Sequence, residues 1–309
     1  MNVALESADS LKKRLSGSGC YLSIGPFVVH LNTSIPSVSE TLGLLYSEIS
    51  SDPKEGVADF HIALERPSNH RRWLHPQVNF SLDGHVPFKP LPLEQAFPLF
   101  EWGLNWCVGS YAHQYLIVHA AVIEKNGSVA LFPAPPGSGK STLCAGLVNR
   151  GWRLLSDELA LISPKDLRVT PIPRPVSLKN ESIEVMHKFA PDAVFGPIVH
   201  DTSKGTVTHM KAPDESVEKQ HILARPEWII FPKYEAAAPA KLVQRSKNYS
   251  FMEIAEQSFN YNILGLRGFD TLQRLVDDCS CYDFSYGRLE DAVEVFDSLP
   301  VSNKQVVSS

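Results

Sequence analysis

The 309-residue sequence is short of several things that would otherwise decide its class. It has five cysteines, Cys20, Cys107, Cys144, Cys279 and Cys281, an odd and scattered set without a CxxC pair. That pattern offers neither a disulfide framework nor a zinc site, and it suits reduced thiols in a cytoplasmic protein. Long apolar runs are also missing: the longest, Tyr115 to Ile123, is interrupted by His119 and too short to span a bilayer. The opening MNVALESADSLKKRL holds no apolar core of a signal peptide. Positive charge is not in excess. A net charge of −5 and a pI near 6.1 remove any global reason to bind nucleic acid or an anionic membrane, so a basic site has to be local. There is no Gly-x-Ser-x-Gly, and His113, His187, His200 and His221 have no acidic or cysteine partners at ligand spacing. Neither a serine-hydrolase elbow nor a histidine-built metal centre is indicated.

With 43% apolar and 20% charged residues, the chain can build one large domain or two modest ones. Short β-like runs at Phe27 to Leu31, Asp59 to Leu64 and Val78 to Leu82 suggest a small α+β unit at the N-terminus, joined by a helix over Leu93 to Ala112. The expected division is therefore residues 1–112 and 113–309. The second part opens with LIVHAAVIEK, Asn126-Gly127 and SVALFPA, two apolar runs joined by a strong two-residue hairpin signal. Pairing Lys125 with Ser128 sets Ile123 opposite Ala130 and His119 opposite Ala134. A helix over Ser141 to Arg150 and a strand RLLSDELALIS follow. Through SPKDLR a second hairpin would put Ile162 opposite Val169 and bring Asp157 near Arg174. Beyond a polar stretch at 180–225, PEWIIFPKY and CYDFSY read as strands. Tyr249 to Gln257, Leu272 to Asp277 and Leu289 to Leu299 read as helices.

The chemistry is concentrated in Ala134-Pro-Pro-Gly-Ser-Gly-Lys-Ser-Thr142, a phosphate-loop pattern with alanine in place of its first glycine. Gly137 and Gly139 let the backbone amides of Pro136 to Thr142, apart from the proline, turn inward on phosphate oxygens, with Ser138 between them. The helix opening at Lys140 directs its positive end there. Lys140 supplies a point charge for the β- and γ-phosphates of ATP, and Ser141 a hydroxyl for Mg²⁺, with Thr142 completing the pattern. Asp157-Glu158 lies 17 residues after Lys140. A carboxylate near Mg²⁺ holds the metal or accepts the proton of an attacking hydroxyl. Asp157 is assigned as the base and Glu158 as the metal carboxylate, with the roles exchangeable and Asp157 also a metal candidate. Because adjacent strand residues face opposite ways, only one of the two should face the nucleotide unless a bulge intervenes.

His119-Ala120, the hairpin, PPGSGKST, NRGWRLLSDE and the short distance to the acidic pair together resemble the HPr kinase/phosphorylase family, in particular its HPr kinase-related group. The likeness is close over 115–165 and looser toward the C-terminus. It implies a phosphoenolpyruvate-carboxykinase-like P-loop fold of α/β (α+β) class, ATP with Mg²⁺, and transfer to a serine hydroxyl of a protein or peptide. It also implies Lys140 and Ser141 on phosphate and metal, Asp157 on the serine, and His119 beside the transferred group. The sequence departs from the family in having Asp-Glu for an aspartate pair and in lacking a Glu-x-Arg-Gly-x-Gly stretch. The acceptor therefore stays open between a polypeptide and a small hydroxylated metabolite, and a nucleotide-binding module without transfer is a third reading.

Further cations are needed around the transferred charge. Arg174, Lys204 and His209 in the polar middle are the candidates, Arg174 first for its forked donors and Lys204 to His209 as a loop able to close on phosphate. The N-terminal unit is expected to serve recognition or homo-oligomer contacts.

Overall fold

Residues 3, 6–50, 57–68 and 75–299 are described in the computed structural model. The chain forms two units, neither a continuous stretch: the first takes 1–113 and 170–222, the second 114–169 and 223–309. Against an expected division into 1–112 and 113–309, residues 170–222 group with the N-terminal part, and the reason is local. The run Pro171-Ile-Pro-Arg-Pro175 cannot supply the donors that would extend a strand, so the chain leaves the second sheet there.

In the first unit, α1 (Ala8–Ser16) begins at Ser7, whose hydroxyl accepts the Ser10 N–H at 3.2 Å. There follow β1 (Cys20–Ile24), β2 (Phe27–Thr33), α2 (Pro36–Leu45), β3 (Phe60–Glu65), β4 (Gln77–Leu82), β5 (Leu91–Pro92) and α3 (Ala96–Tyr111). The strands form one sheet in the order β1-β2-β3-β4-β5. Strict alternation buries Leu22, Val29, Leu31, Ile62, Leu64 and Phe80 on one face with Leu15, Leu42, Phe100 and Leu104 of the helices. Of these elements the sequence reading found β2, β3, β4 and α3, and missed α1, β1, α2 and β5.

The second unit opens with β6 (Leu116–Lys125), β7 (Ser128–Pro133), α4 (Lys140–Val148), β8 (Arg153–Ser156), β9 (Leu159–Ile162) and β10 (Val169–Thr170). Asn126 and Gly127 both take positive φ, 54° and 85°, and the register is Lys125↔Ser128 and Ile123↔Ala130, as the Asn-Gly turn demands. The expected single strand RLLSDELALIS is two: β8 and β9 both pair with β6, and the ladder breaks at Asp157-Glu158.

The chain then returns to the first unit as β11 (Val176–Lys179), α5 (Glu181–Phe189), β12 (Val199–Thr202), β13 (Gly205–Met210) and α6 (Asp214–Glu218). Its strands make a three-stranded sheet, β11-β13-β12. Lys204 to His209, expected as a closing loop, is instead the turn and second strand of a β-hairpin. Gly205 at φ 85° closes the turn, and β13 is paired on both sides, with β11 and with β12.

Back in the second unit come β14 (Arg225–Tyr234), β15 (Lys241–Gln244), α7 (Lys247–Glu256), α8 (Tyr261–Leu264), α9 (Leu266–Asp278), β16 (Ser280–Tyr286) and α10 (Leu289–Asp297). The sheet runs β10-β9-β6-β7-β14-β16-β15 with β8 also on β6, and β7, β14 and β16 are parallel. One face buries Val118, Ala120, Leu131 and Ile229 against Ile254, Leu272, Leu275 and Val276 of α7 and α9. On the other, Phe132 and Phe284 meet Phe296 of α10 at 5.5 and 5.2 Å between ring centroids. The molecule is thus mixed α/β of the α+β kind, and among the described residues no helix is long and apolar enough to cross a membrane.

All five cysteines are free and buried. Burial pushes the Cys20 thiol up to about 11 and that of Cys107 to about 12, and raises Cys144, Cys279 and Cys281 as well. An unfolded thiol titrates near about 8.5, so the contribution of these groups to stability is fully present below that pH and is lost as pH rises through the folded values. Urea midpoints should therefore fall progressively from about pH 9 toward pH 11. A flat profile over that interval would contradict the burial.

Candidate active site

The parallel strands β7, β14 and β16 all end at the same edge of the second sheet, and the glycine-rich loop leaves β7 there. Open α/β sheets bind ligands outside such carboxyl ends, because the following turns carry the free backbone donors. Pro136 and Gly137 are exposed at the tip of the loop, Ser138 and Gly139 are half-buried, and α4 begins at Lys140 with Ser141 and Thr142 in its first turn. Gly137 and Gly139 take φ of 87° and 88°, the left-handed conformation that only glycine adopts without strain.

Two tyrosines fix this loop from the sheet side. The Tyr234 N–H donates to the Ser138 carbonyl at 2.9 Å, and the Tyr286 hydroxyl donates to the Gly139 carbonyl at 2.8 Å. With these carbonyls bound to the sheet side, the first-turn N–H groups of α4, which a helix leaves without intrahelical partners, face outward. A Cβ on Gly139 would lie 2.5 Å from the Tyr286 hydroxyl and 2.8 Å from Tyr234 Cβ, so close approach as well as φ demands glycine. Burial raises the Tyr286 phenol above its ordinary range, which keeps it protonated as a donor. Neither tyrosine was singled out in the sequence. Each merely ends a strand, and only the strand order brings both to the loop.

His119 lies on β6 between core residues Val118 and Ala120, so alternation turns it to the opposite face, where α4 starts. Lys140 Nζ lies 2.9 Å from His119 Nε2, and Glu158 Oε2 lies 3.0 Å from the same nitrogen. One ring nitrogen cannot accept from lysine and donate to glutamate at once, so at most one of the two contacts is a hydrogen bond at any moment. His119 is thus positioned to exchange partners between a cation and an anion. Lys140 is only 5% exposed, and an ammonium buried to that degree requires polar partners such as this one.

Asp157 and Glu158 occupy the break between β8 and β9, with Leu155 bulged just before them as the pairing shifts from Val122↔Ser156 to Ile123↔Leu154. Both carboxylates nonetheless act on groups around α4, so strand alternation does not separate them. Glu158 reaches His119. Asp157, buried at 5% exposure, acts together with Lys140 on the Cys144 thiol of α4, which burial chiefly and the Asp157 charge secondarily raise, and the Lys140 charge lowers. The Ser156 hydroxyl accepts the Leu159 N–H at 3.0 Å across the bend and fixes its shape. Lys140, His119, Glu158 and Asp157 thus form one cluster at the mouth of the loop.

Three sequence candidates have other surroundings, all in the first unit. Arg174, expected beside Asp157, is 6% exposed and donates through Nη1 to Glu101 Oε2 at 3.0 Å and through Nη2 to Asn105 Oδ1. The short β10 ends at Thr170, so the hairpin that was to bring Arg174 toward Asp157 does not continue that far. His209 is buried on β13 with its ring edge-on to Phe97 at 5.4 Å. Lys204 sits at the hairpin turn with its ammonium 4.8 Å above the Trp102 ring.

Among the described residues no group of three or more His, Cys, Asp or Glu could hold a metal alone. Magnesium does not need one, since it binds through one or two carboxylates, water and substrate phosphates. Ser141, Asp157 and Glu158 are hard oxygen donors of that kind. The Ser138 hydroxyl in the loop is buried without a hydrogen-bond partner, as a group awaiting a polar ligand would be. No protein-family model and no curated protein matches the chain.

Proposed function

We propose that the protein is an ATP-dependent kinase that transfers the γ-phosphoryl group to a serine hydroxyl of a protein or peptide, on a phosphoenolpyruvate-carboxykinase-like P-loop unit of the HPr kinase type. The observation that carries this reading is the meeting of Lys140, His119 and Glu158 within 3.0 Å contacts at a loop whose glycines take φ near 88° and whose helix opens onto it. An anion nest with a buried lysine suits a polyphosphate, and an acidic bend beside it suits the reacting end of that polyphosphate.

In this reading the loop amides and Lys140 bind the phosphates. Ser141 and Glu158 would hold Mg²⁺, which would supply neutralisation of phosphate charge. Asp157 takes the proton of the serine hydroxyl as its oxygen bonds to the γ-phosphorus, and the bond to the β,γ-bridging oxygen breaks with its electron pair leaving on ADP. Lys140 offsets the charge that develops there. His119 can exchange Lys140 for Glu158 when the ammonium turns to phosphate. The scattered free thiols support a reducing, cytoplasmic setting, and the net charge of −5 argues against nucleic acid as a partner.

Calorimetry on the folded protein should show saturable binding of Mg·ATP, and γ-labelled ATP should leave its label on a serine-containing polypeptide. Label recovered only in the small-molecule fraction would assign a hydroxylated metabolite as the acceptor. The absence of any saturable heat would end the nucleotide reading.

A further inference from the structure

Six large apolar side chains of the second unit stand exposed within one short stretch: Tyr249 and Met252 on α7, Phe259 in the turn after it, Ile263 on α8, and Leu266 and Phe269 on α9. Leu266 is 88% exposed and Tyr249 72%. The core does not require them, because α7 and α9 are held on the sheet by their other faces, through Ile254, Leu272, Leu275 and Val276. Phe251 ties the layer together, its ring 5.4 Å from Phe269 and 6.2 Å from Tyr261. Exposed apolar surface gathered in this way marks a place where something binds.

Its inner end is the reactive cluster. The Phe259 ring, itself half-exposed, lies edge-on to His119 at 6.0 Å. The backbone of the turn is bonded to β6 at the same point: the His119 N–H donates to Gln257 O at 2.8 Å, and the Phe259 N–H to Ile117 O at 2.9 Å. Exposed apolar side chains therefore begin beside the histidine that Lys140 and Glu158 share, at Phe259, and continue along the chain through Ile263 of α8 to Leu266 and Phe269 of α9. A small metabolite held at the loop would leave most of it uncovered.

We propose that this face of α7, α8 and α9 is the docking surface for the acceptor polypeptide, which lays an apolar segment over Phe259, Ile263 and Leu266 while its serine enters beside His119. The proposal deepens the kinase reading and rests on it. The contact of Phe259 with His119 selects an acceptor over a second copy of the chain, since a copy seated there would cover the approach to His119.

The test uses a positional-scanning library of serine peptides with γ-labelled ATP, on the wild-type protein and on Ile263→Lys and Leu266→Lys, whose parent side chains are too exposed to matter for folding. The wild type should select aliphatic or aromatic residues on one side of the serine. For the best apolar-flanked peptide, KM should rise about tenfold in each variant, as on loss of one apolar anchor, with kcat at saturating peptide and Mg·ATP affinity retained. An absent apolar preference, an unchanged KM, or intact Mg·ATP binding without transfer to any peptide would overturn the docking surface. So would a dimer, seen by sedimentation, that dissociates in Leu266→Lys, because the face would then belong to a second copy. Failure of the wild type to bind Mg·ATP would remove the kinase reading itself, and the calorimetric trace distinguishes that case from the others.

Discussion

Asp157→Asn is expected to lower phosphoryl transfer about 10²-fold or more, the usual contribution of a positioned general base, while Mg·ATP affinity changes far less. The substitution keeps the shape of a side chain that is 5% exposed in the bend between β8 and β9, so loss of fold is not the expected cause. Lys140→Ala should cost about 10² to 10³ in rate if, as proposed, it removes a donor aimed at developing charge. It should also release His119 Nε2 to Glu158 alone, since lysine is the nearer of its two partners at 2.9 Å against 3.0 Å. Single-turnover rates with γ-labelled ATP, set beside calorimetric affinities, separate the two effects. Full transfer by Asp157→Asn would remove Asp157 as base and leave Glu158 as the remaining carboxylate of the bend.

Arg174→Ala is expected to destabilise the first unit by about 3 to 5 kcal/mol, the usual result of removing one partner of a buried ion pair. Glu101, 4% exposed, accepts from Arg174 through Oε2 at 3.0 Å and from the Tyr46 hydroxyl through Oε1 at 2.5 Å. Burial, and then the Glu101 charge, hold the Tyr46 phenol well above its ordinary range, so it stays a donor at any physiological pH. Without the guanidinium, the buried carboxylate loses the cation of its ion pair, while the Tyr46 hydroxyl still donates to it. Changing both residues, Glu101→Met with Arg174→Met, should recover much of the loss, because paired buried charges are often replaced by apolar groups at little cost. Denaturant unfolding measures the two differences. Were Arg174→Ala to leave stability intact and reduce transfer 100-fold or so, the arginine would be a phosphate ligand after all, as a forked donor in a polar segment suggests from the sequence.

Lys140 and Arg174 differ in what sets their surroundings. Lys140 lies in a local pattern, strand, glycine turn and helix, whose backbone geometry is set by neighbours in the chain. Arg174 looked equally fit for phosphate, but its surroundings are set by Glu101 and Tyr46, which are 73 and 128 positions away. Spacing carries no information at that range.

What the sequence determined alone was whatever depends on short-range geometry. The Asn126-Gly127 turn set the register of β6 on β7, and through it the face on which His119 lies. The two glycines dictated the left-handed bends of the loop, and alternation marked most of the strands that bury the core. Tertiary structure alone decided that residues 170–222 rejoin the first unit, and that a break in the ladder at Asp157-Glu158 releases both carboxylates from strand alternation. It alone brought Tyr234, Tyr286 and Phe259 to the loop and to His119. The reason is common to all of these. Each depends on which strands lie side by side, and that is chosen by burying apolar faces across the whole chain, a non-directional force that leaves no mark at any fixed spacing.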